Sequence, residues 1–415
     1  MIKFLENNKI GLCTYLLGIF LLFVGFYFNV DGYRLALSGD FEDTWPYVLK
    51  LKENFFINPS KWTLHFPFHY YFLSRLDLVF NNTGYVRFVI CLISIITPFI
   101  FFQCLKLKYQ HIKLENLFIV SSIIFFTPSY IYSAVWANDN VTSYIFLLLG
   151  TYFFFKSEDI RRSGNQENIY TYIALVFLAL TCYSRQYYSI FYGFFLIFYL
   201  KELNFKSFLI LSFFSFILAL PGMLFLYIYP SMFEKLAFSG NISNTFLGNV
   251  TAIFVYTLPI LIINFFYSKE NLFNFKKLAL YFVVSLLISV LIFFTYNIDT
   301  MGMNGGAIFI LSKKIFGNYY FFYFVFFISL NLIFILFNKP LDLFFTFSLV
   351  FMISGIIVLQ KYFEPLFFIF FFLYSKSTFK NLFFMNKKAA LLLVLYHLFY
   401  LLVATSNVLH SVSFI

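Results

Sequence analysis

The sequence predicts an all-α protein that crosses a membrane many times. Of its 415 residues, 61% are hydrophobic and only 11% are charged, and the mean hydropathy is +0.84. Soluble domains carry about 25% charged residues. Apolar runs of about 18 residues or more recur from end to end, each able to cross roughly 30 Å of hydrocarbon. These runs do not alternate polar with apolar residues, as the strands of a barrel would.

The first run, 10–30, follows Lys3 and Lys9. It has the flank of a signal peptide but no small-residue cleavage site, so it reads as a retained helix. Further helices are expected near 84–105, 116–135, 141–155, 169–183, 187–200, 207–229, 250–267, 277–296, 316–337, 341–359, 363–375 and 389–405, about thirteen in all. Together they make residues 1–415 a single transmembrane domain with no separate soluble domain. Residues 31–83 form its longest connection. The four cysteines (Cys13, Cys91, Cys104 and Cys182) lie in apolar runs and read as small core residues, not as a disulfide framework.

The net charge of +11 could suggest nucleic acid, but its distribution argues for topology instead. With the N-terminus placed inside, alternate connections collect 18 of the 29 Lys and Arg residues, among them Lys106, Lys108, Arg161, Arg162, Lys276, Lys277, Lys387 and Lys388. Lys and Arg in short loops mark the cytoplasm. The N-terminus is therefore expected to be cytoplasmic and 31–83 to be the first outer loop, in a bacterial inner membrane or the endoplasmic reticulum.

The same alternation sends four polar clusters to the outer side: "GDFED" at 39–43, "WANDN" at 136–140, "YSRQYY" at 183–188 and "QKYFEP" at 360–365. Ionisable groups at membrane depth cost about 2.5–3.5 kcal/mol each on insertion scales and normally face a cavity and a partner. Each cluster also has a plainer reading. The segment 42–56 reads as a short helix lying on the membrane surface, with Trp45, Val48, Leu49 and Phe56 near one face and Asp43 near its start as a cap. Asn138 or Asp139 suits a helix cap, Arg185 suits an interfacial snorkelling residue, and Lys361 with Glu364 suits an ion pair. In "KWTLHFPFHYYF", His65 and His69 stand four apart, as metal ligands on a helix would. Pro67 between them breaks that geometry, so 61–72 reads as a second interfacial or re-entrant segment and no metal site is assigned. Four clusters on one face together point to one polar site.

The segments "FEDTWPYVLKLKENFFINPSKWTLHFPFHYY", "YVRFVICLISIITPFIFFQCLKLK", "WANDNVTSYIFLLLGTYFF" and "YSRQYYSIFYG" stand in the order and spacing of a known family. Over about residues 30–200 the chain resembles the dolichyl-phosphate-glucose α-1,2-glucosyltransferases of the GT-C superfamily. "QKYFEPL" is similar to the basic-aromatic-proline signature near the end of many GT-C enzymes. Two departures stand out. Glu42 and Asp43 reverse the order of the family's acidic pair, and His65 occupies a position that is uncharged in the family.

The resemblance implies a GT-C-like fold and an inverting transfer of a hexose, glucose in this family. The donor would be a polyprenyl-phosphate sugar, dolichyl or undecaprenyl, and the acceptor a glycan or lipid-linked glycan. A hydroxyl nucleophile needs a base within hydrogen-bond reach, for which Asp43 is the first candidate and Glu42 and Asp40 the others. The departing lipid phosphate needs fixed positive charge, for which Arg185 and then Lys361 are expected. Asp139, Gln186 and His65 would orient substrate. The scheme requires no cofactor and leaves room for a divalent metal at the carboxylates. A polytopic lipid or glycan transporter or flippase is the competing class, although no internal repeat supports it.

Overall fold

The computed structural model describes residues 8–31, 36–59, 62–63, 65–162, 168–230, 242–268, 275–295, 306–352 and 363–412. Every regular element among them is helical. The chain divides into two units: Met1–Ala237 with Leu398–Ile415, and Phe238–His397.

The first unit opens with α1 (Lys9–Tyr27), followed by α2 (Ala36–Lys50), α3 (Phe68–Phe80), α4 (Thr83–Ser94), α5 (Ile96–Lys108), α6 (Leu114–Ser122) and α7 (Pro128–Val135). Then come α8 (Asp139–Arg162), α9 (Ile169–Ser184), α10 (Ser189–Glu202) and α11 (Phe205–Ile228). Along α1, Gly11, Gly18 and Gly25 recur every seven residues and are buried. A Cβ at Gly11 would stand 2.6 Å from the Cβ of Phe118, and one at Gly18 would stand 2.5 Å from that of Phe125. Small residues thus let α1 lie close against α6 and the turn after it, the usual device where helices pack within lipid. At Gly150, α8 meets Leu178 of α9 in the same way.

Prolines account for the breaks. Pro98 has no N–H and cannot donate to the carbonyl four residues back; α4 and α5 part at Ile95, and the Tyr130 hydroxyl donates to that Ser94 carbonyl instead. Pro128 holds Thr127 in an extended conformation, φ −87° and ψ 119°. There the helical run Leu114–Phe126 turns by 63° into α7.

The second unit contains α12 (Ile242–Tyr267), α13 (Phe275–Thr295), α14 (Gly306–Leu311), α15 (Tyr320–Leu336), α16 (Pro340–Met352), α17 (Leu366–Ile369), α18 (Asn381–Met385) and the first turns of α19 (Lys387–Val412). The helix α12 packs against α15 and α16, and α13 packs against α15. Pro259 within α12 frees the Val255 carbonyl, and the Tyr396 hydroxyl satisfies it at 3.1 Å. A backbone carbonyl left unpaired in hydrocarbon would cost several kcal/mol, so Tyr130 at Pro98 and Tyr396 at Pro259 offset the loss.

Among the described residues, six helices are long and apolar enough to cross a membrane, or seven if the bent pair Leu114–Phe126 and Pro128–Val135 is one span. The chain is a helical membrane protein. Two expectations need correction. The interfacial helix placed at 42–56 runs instead from Ala36 to Lys50, so Phe56 lies beyond it, and it buries Leu37, Phe41, Tyr47 and Val48. The run at 363–375 forms only a short helix continued by a wider turn to Tyr374, buried throughout. Nine helical residues rise about 14 Å, too little to cross hydrocarbon alone.

Candidate active site

Asp31 positions the helix that carries the acidic cluster. Its carboxylate accepts the backbone N–H groups of Leu37 and Ser38 at 3.0 and 2.7 Å, satisfying donors that have no partner within the first turn of α2. Because the cap lies that far back, Asp43 is mid-helix and does not cap, contrary to expectation. Asp40 is half-buried, while Glu42 and Asp43 are exposed. Asp40 and Asp43 are three residues apart and share one side of α2, from which Glu42 is turned well away. Phe41 stacks on Trp45 and packs against Trp136, fixing the roll of the helix.

The segment before α3 brings in two histidines. His69 is fully buried, with Nδ1 2.8 Å from the Thr142 hydroxyl and Nε2 2.8 Å from the Ala137 carbonyl. Burial lowers its pKa below the ordinary 6.5; the nearby Asp139 carboxylate pulls upward without reversing this, so the ring is neutral. Next to it, burial raises the Tyr70 hydroxyl well above its usual value, and the negative charges of Asp139 and, more weakly, Asp40 add to the rise. Asp40 of α2 and the Asp139 carboxylate thus both lie within electrostatic reach of the Tyr70 hydroxyl.

At the start of α8, Asn138 is the cap, accepting the Asn140 N–H at 3.2 Å. This frees Asp139 for other partners. Ala137 just before it adopts a left-handed conformation, φ 48°, which is costly for a residue with a Cβ. Its carbonyl is the one that His69 holds.

Arg185 terminates α9 in an extended conformation and turns its guanidinium onto α8. Nε donates to Asp139 Oδ1 at 2.6 Å, NH2 to Asn138 Oδ1 at 3.3 Å, and NH1 to the Tyr187 hydroxyl. The Arg185 and Asp139 side chains are 2% and 1% exposed. The other Asp139 oxygen, Oδ2, is buried without a hydrogen bond and lies 3.8 Å from His65 Nε2. His65 Nδ1 in turn stands 3.1 Å from Gln186 Oε1. Among these groups the His65 side chain is the more open, at 23% exposure.

Of the residues singled out in the sequence, His65, Asp139, Arg185 and Gln186 meet directly, and Asp40 acts with Asp139 on the Tyr70 hydroxyl. Glu42 and Asp43 lie outward on α2. Lys361 lies outside the described residues, and Glu364, expected as its partner, accepts a hydrogen bond from the Tyr256 hydroxyl at 2.7 Å. His65 and His69 do not form a metal pair, since both His69 nitrogens are occupied, and no group of three ligands stands together among the described residues. Asp31, His69 and Tyr187 were not legible as site residues. Their partners lie six residues away (Leu37), 73 residues away (Thr142) and across a turn (Arg185). Comparison with protein-family models, with curated proteins and with solved structures finds no match to this chain.

Proposed function

We propose that the protein is a membrane glycosyltransferase of GT-C type, built from about thirteen spans, with its site on the non-cytoplasmic face. It moves a hexose, with inversion, from a polyprenyl-phosphate sugar to a glycan or lipid-linked glycan. One observation carries this reading. Polar residues from three separated segments, His65, Asp139 and the Arg185–Gln186 pair, meet in a chain that is otherwise overwhelmingly apolar.

In the proposed reaction the acceptor oxygen attacks C1 of the donor sugar. The C1–O bond to phosphate breaks, and the lipid phosphate leaves with the bonding electrons. The acceptor proton passes to a carboxylate, which must be reachable by substrate and held in place. We assign that role first to Asp40, half-buried on α2, then to Asp43 one turn on. Arg185 supplies positive charge but commits its nitrogens to Asp139, Asn138 and Tyr187. It acts as a fixed charge rather than as an open fork. His65 and Gln186, more open, orient hydroxyl groups.

The test is to supply membranes containing the protein with a radiolabelled polyprenyl-phosphate hexose. Transfer of label to a glycan acceptor supports the reading. Movement of intact donor across the bilayer without hexose transfer would assign the protein to transport instead.

A further inference from the structure

The second unit carries a hollow far along the sequence from the carboxylates of α2. It is lined by Leu258, Pro259, Ile262 and Phe266 of α12 and by Leu392 and Tyr396 of α19, with a volume of about 590 Å³. That is within the range of ~300–1,000 Å³ typical of ligand sites. Pro259 lies within α12 on the wall of the hollow, and the Tyr396 hydroxyl of the facing wall donates to the Val255 carbonyl that the proline leaves free. The outer rim is open: Ile262 is 46% and Phe266 72% exposed. Both helices are long and apolar enough to span a membrane, so an open side of the hollow meets lipid.

One end of the hollow is basic. Residues 388, 392 and 396 are spaced at i, i+4 and i+8 and share a face of α19, so the exposed Lys388 stands about 6 Å along the axis beyond Leu392. Lys387 precedes it. Tyr267, the last residue of α12, also lines the hollow. Lys387 and Lys388 therefore stand at the end of α19 where an apolar hollow opens.

We infer that this hollow is a binding site for an anionic glycerophospholipid. Its acyl chain lies along Leu258, Ile262, Phe266 and Leu392, and its phosphate meets Lys387 and Lys388. The occupant follows from charge complementarity. A zwitterionic headgroup gains little from clustered lysines, whereas each Lys near an anionic headgroup is worth about 1 kcal/mol, roughly fivefold in binding. The inference does not depend on the transferase reading.

The experiment uses the full chain in detergent and a phosphatidylglycerol that carries a diazirine in its acyl chain. After irradiation, label is expected on peptides containing residues 258–267 and 392–396. Filling the hollow by Ile262→Trp should abolish it. Paired Lys387→Gln and Lys388→Gln, on the exposed end, should reduce it by about tenfold or more while thermal unfolding stays unchanged. Equal labelling by a matching phosphatidylcholine probe would overturn the inference in favour of unselective lipid contact. Displacement of the probe by sub-stoichiometric polyprenyl phosphate would overturn the assigned occupant. Absence of label in a protein that runs as a dimer, with the hollow covered by a second copy, would overturn it as well.

Discussion

Arg185 Nε and Asp139 Oδ1 are 2.6 Å apart although 46 residues separate them in the chain, and both side chains are almost wholly excluded from solvent. The pair joins the end of α9 to the start of α8. Removing one member of such a pair leaves an uncompensated buried charge, at a cost of about 3–5 kcal/mol. Arg185→Ala and Asp139→Ala should each lower the unfolding temperature strongly in detergent. Arg185→Lys keeps the charge but cannot reach Asp139, Asn138 and Tyr187 together. It should recover only part of the loss, and full recovery would show that charge alone matters.

Asp40→Asn keeps shape and removes the proton acceptor. Hexose transfer should fall by about 10²–10⁴-fold, the usual worth of a general base, with protein level and unfolding temperature near wild type. Asp43→Asn should lose less, and Glu42→Gln little. A loss confined to Asp43→Asn would move the role of base one turn along α2.

Asp31 acts at a distance from the reacting atoms. Asp31→Ala leaves the Leu37 and Ser38 N–H groups without their acceptor and should cost about 0.5–2 kcal/mol. Limited proteolysis near residues 32–38 should speed up. Asp31→Asn, which keeps one acceptor oxygen, should sit between Ala and wild type, and identical behaviour of Asn and Ala would refute the capping role.

His69 sets a pH dependence. Its folded pKa is depressed below 6.5 chiefly by burial, so the unfolded chain binds the proton more readily. Its contribution to stability is fully present above pH 6.5. That contribution declines as the pH falls from 6.5 toward the folded value. Unfolding temperature measured from pH 8 down to pH 5 should show this decline, and His69→Gln should flatten that part of the curve. Asp139, which favours the proton, and Arg185 and His65, which oppose it, are the charged or titratable groups acting on the ring.

Topology follows from the charge split. With the four native cysteines replaced, Asp43→Cys should react with an impermeant thiol reagent from the non-cytoplasmic side and Lys106→Cys from the cytoplasmic side. The reverse pattern would invert the chain in the membrane.

The sequence by itself determined that this protein is helical and membrane-embedded, because long apolar runs with little charge have no other stable state in lipid. It placed α1, α9, α11 and α13 within a few residues of their observed ends, since an apolar run and its polar flanks are local signals. It also singled out His65, Asp139, Arg185 and Gln186, because a polar residue at membrane depth must have a reason to be there. Only the tertiary structure decided what those residues touch. Asp139 was freed from capping by its neighbour Asn138, and Arg185 was drawn inward to that carboxylate instead of outward to headgroups. The start of α2 was set by Asp31, outside the helix. The burial of Phe363–Tyr374 was settled by the helices around it. Apart from the adjacent Asn138 cap, the partner lies away from the residue along the chain, and a local pattern carries no record of which distant donor or acceptor will arrive.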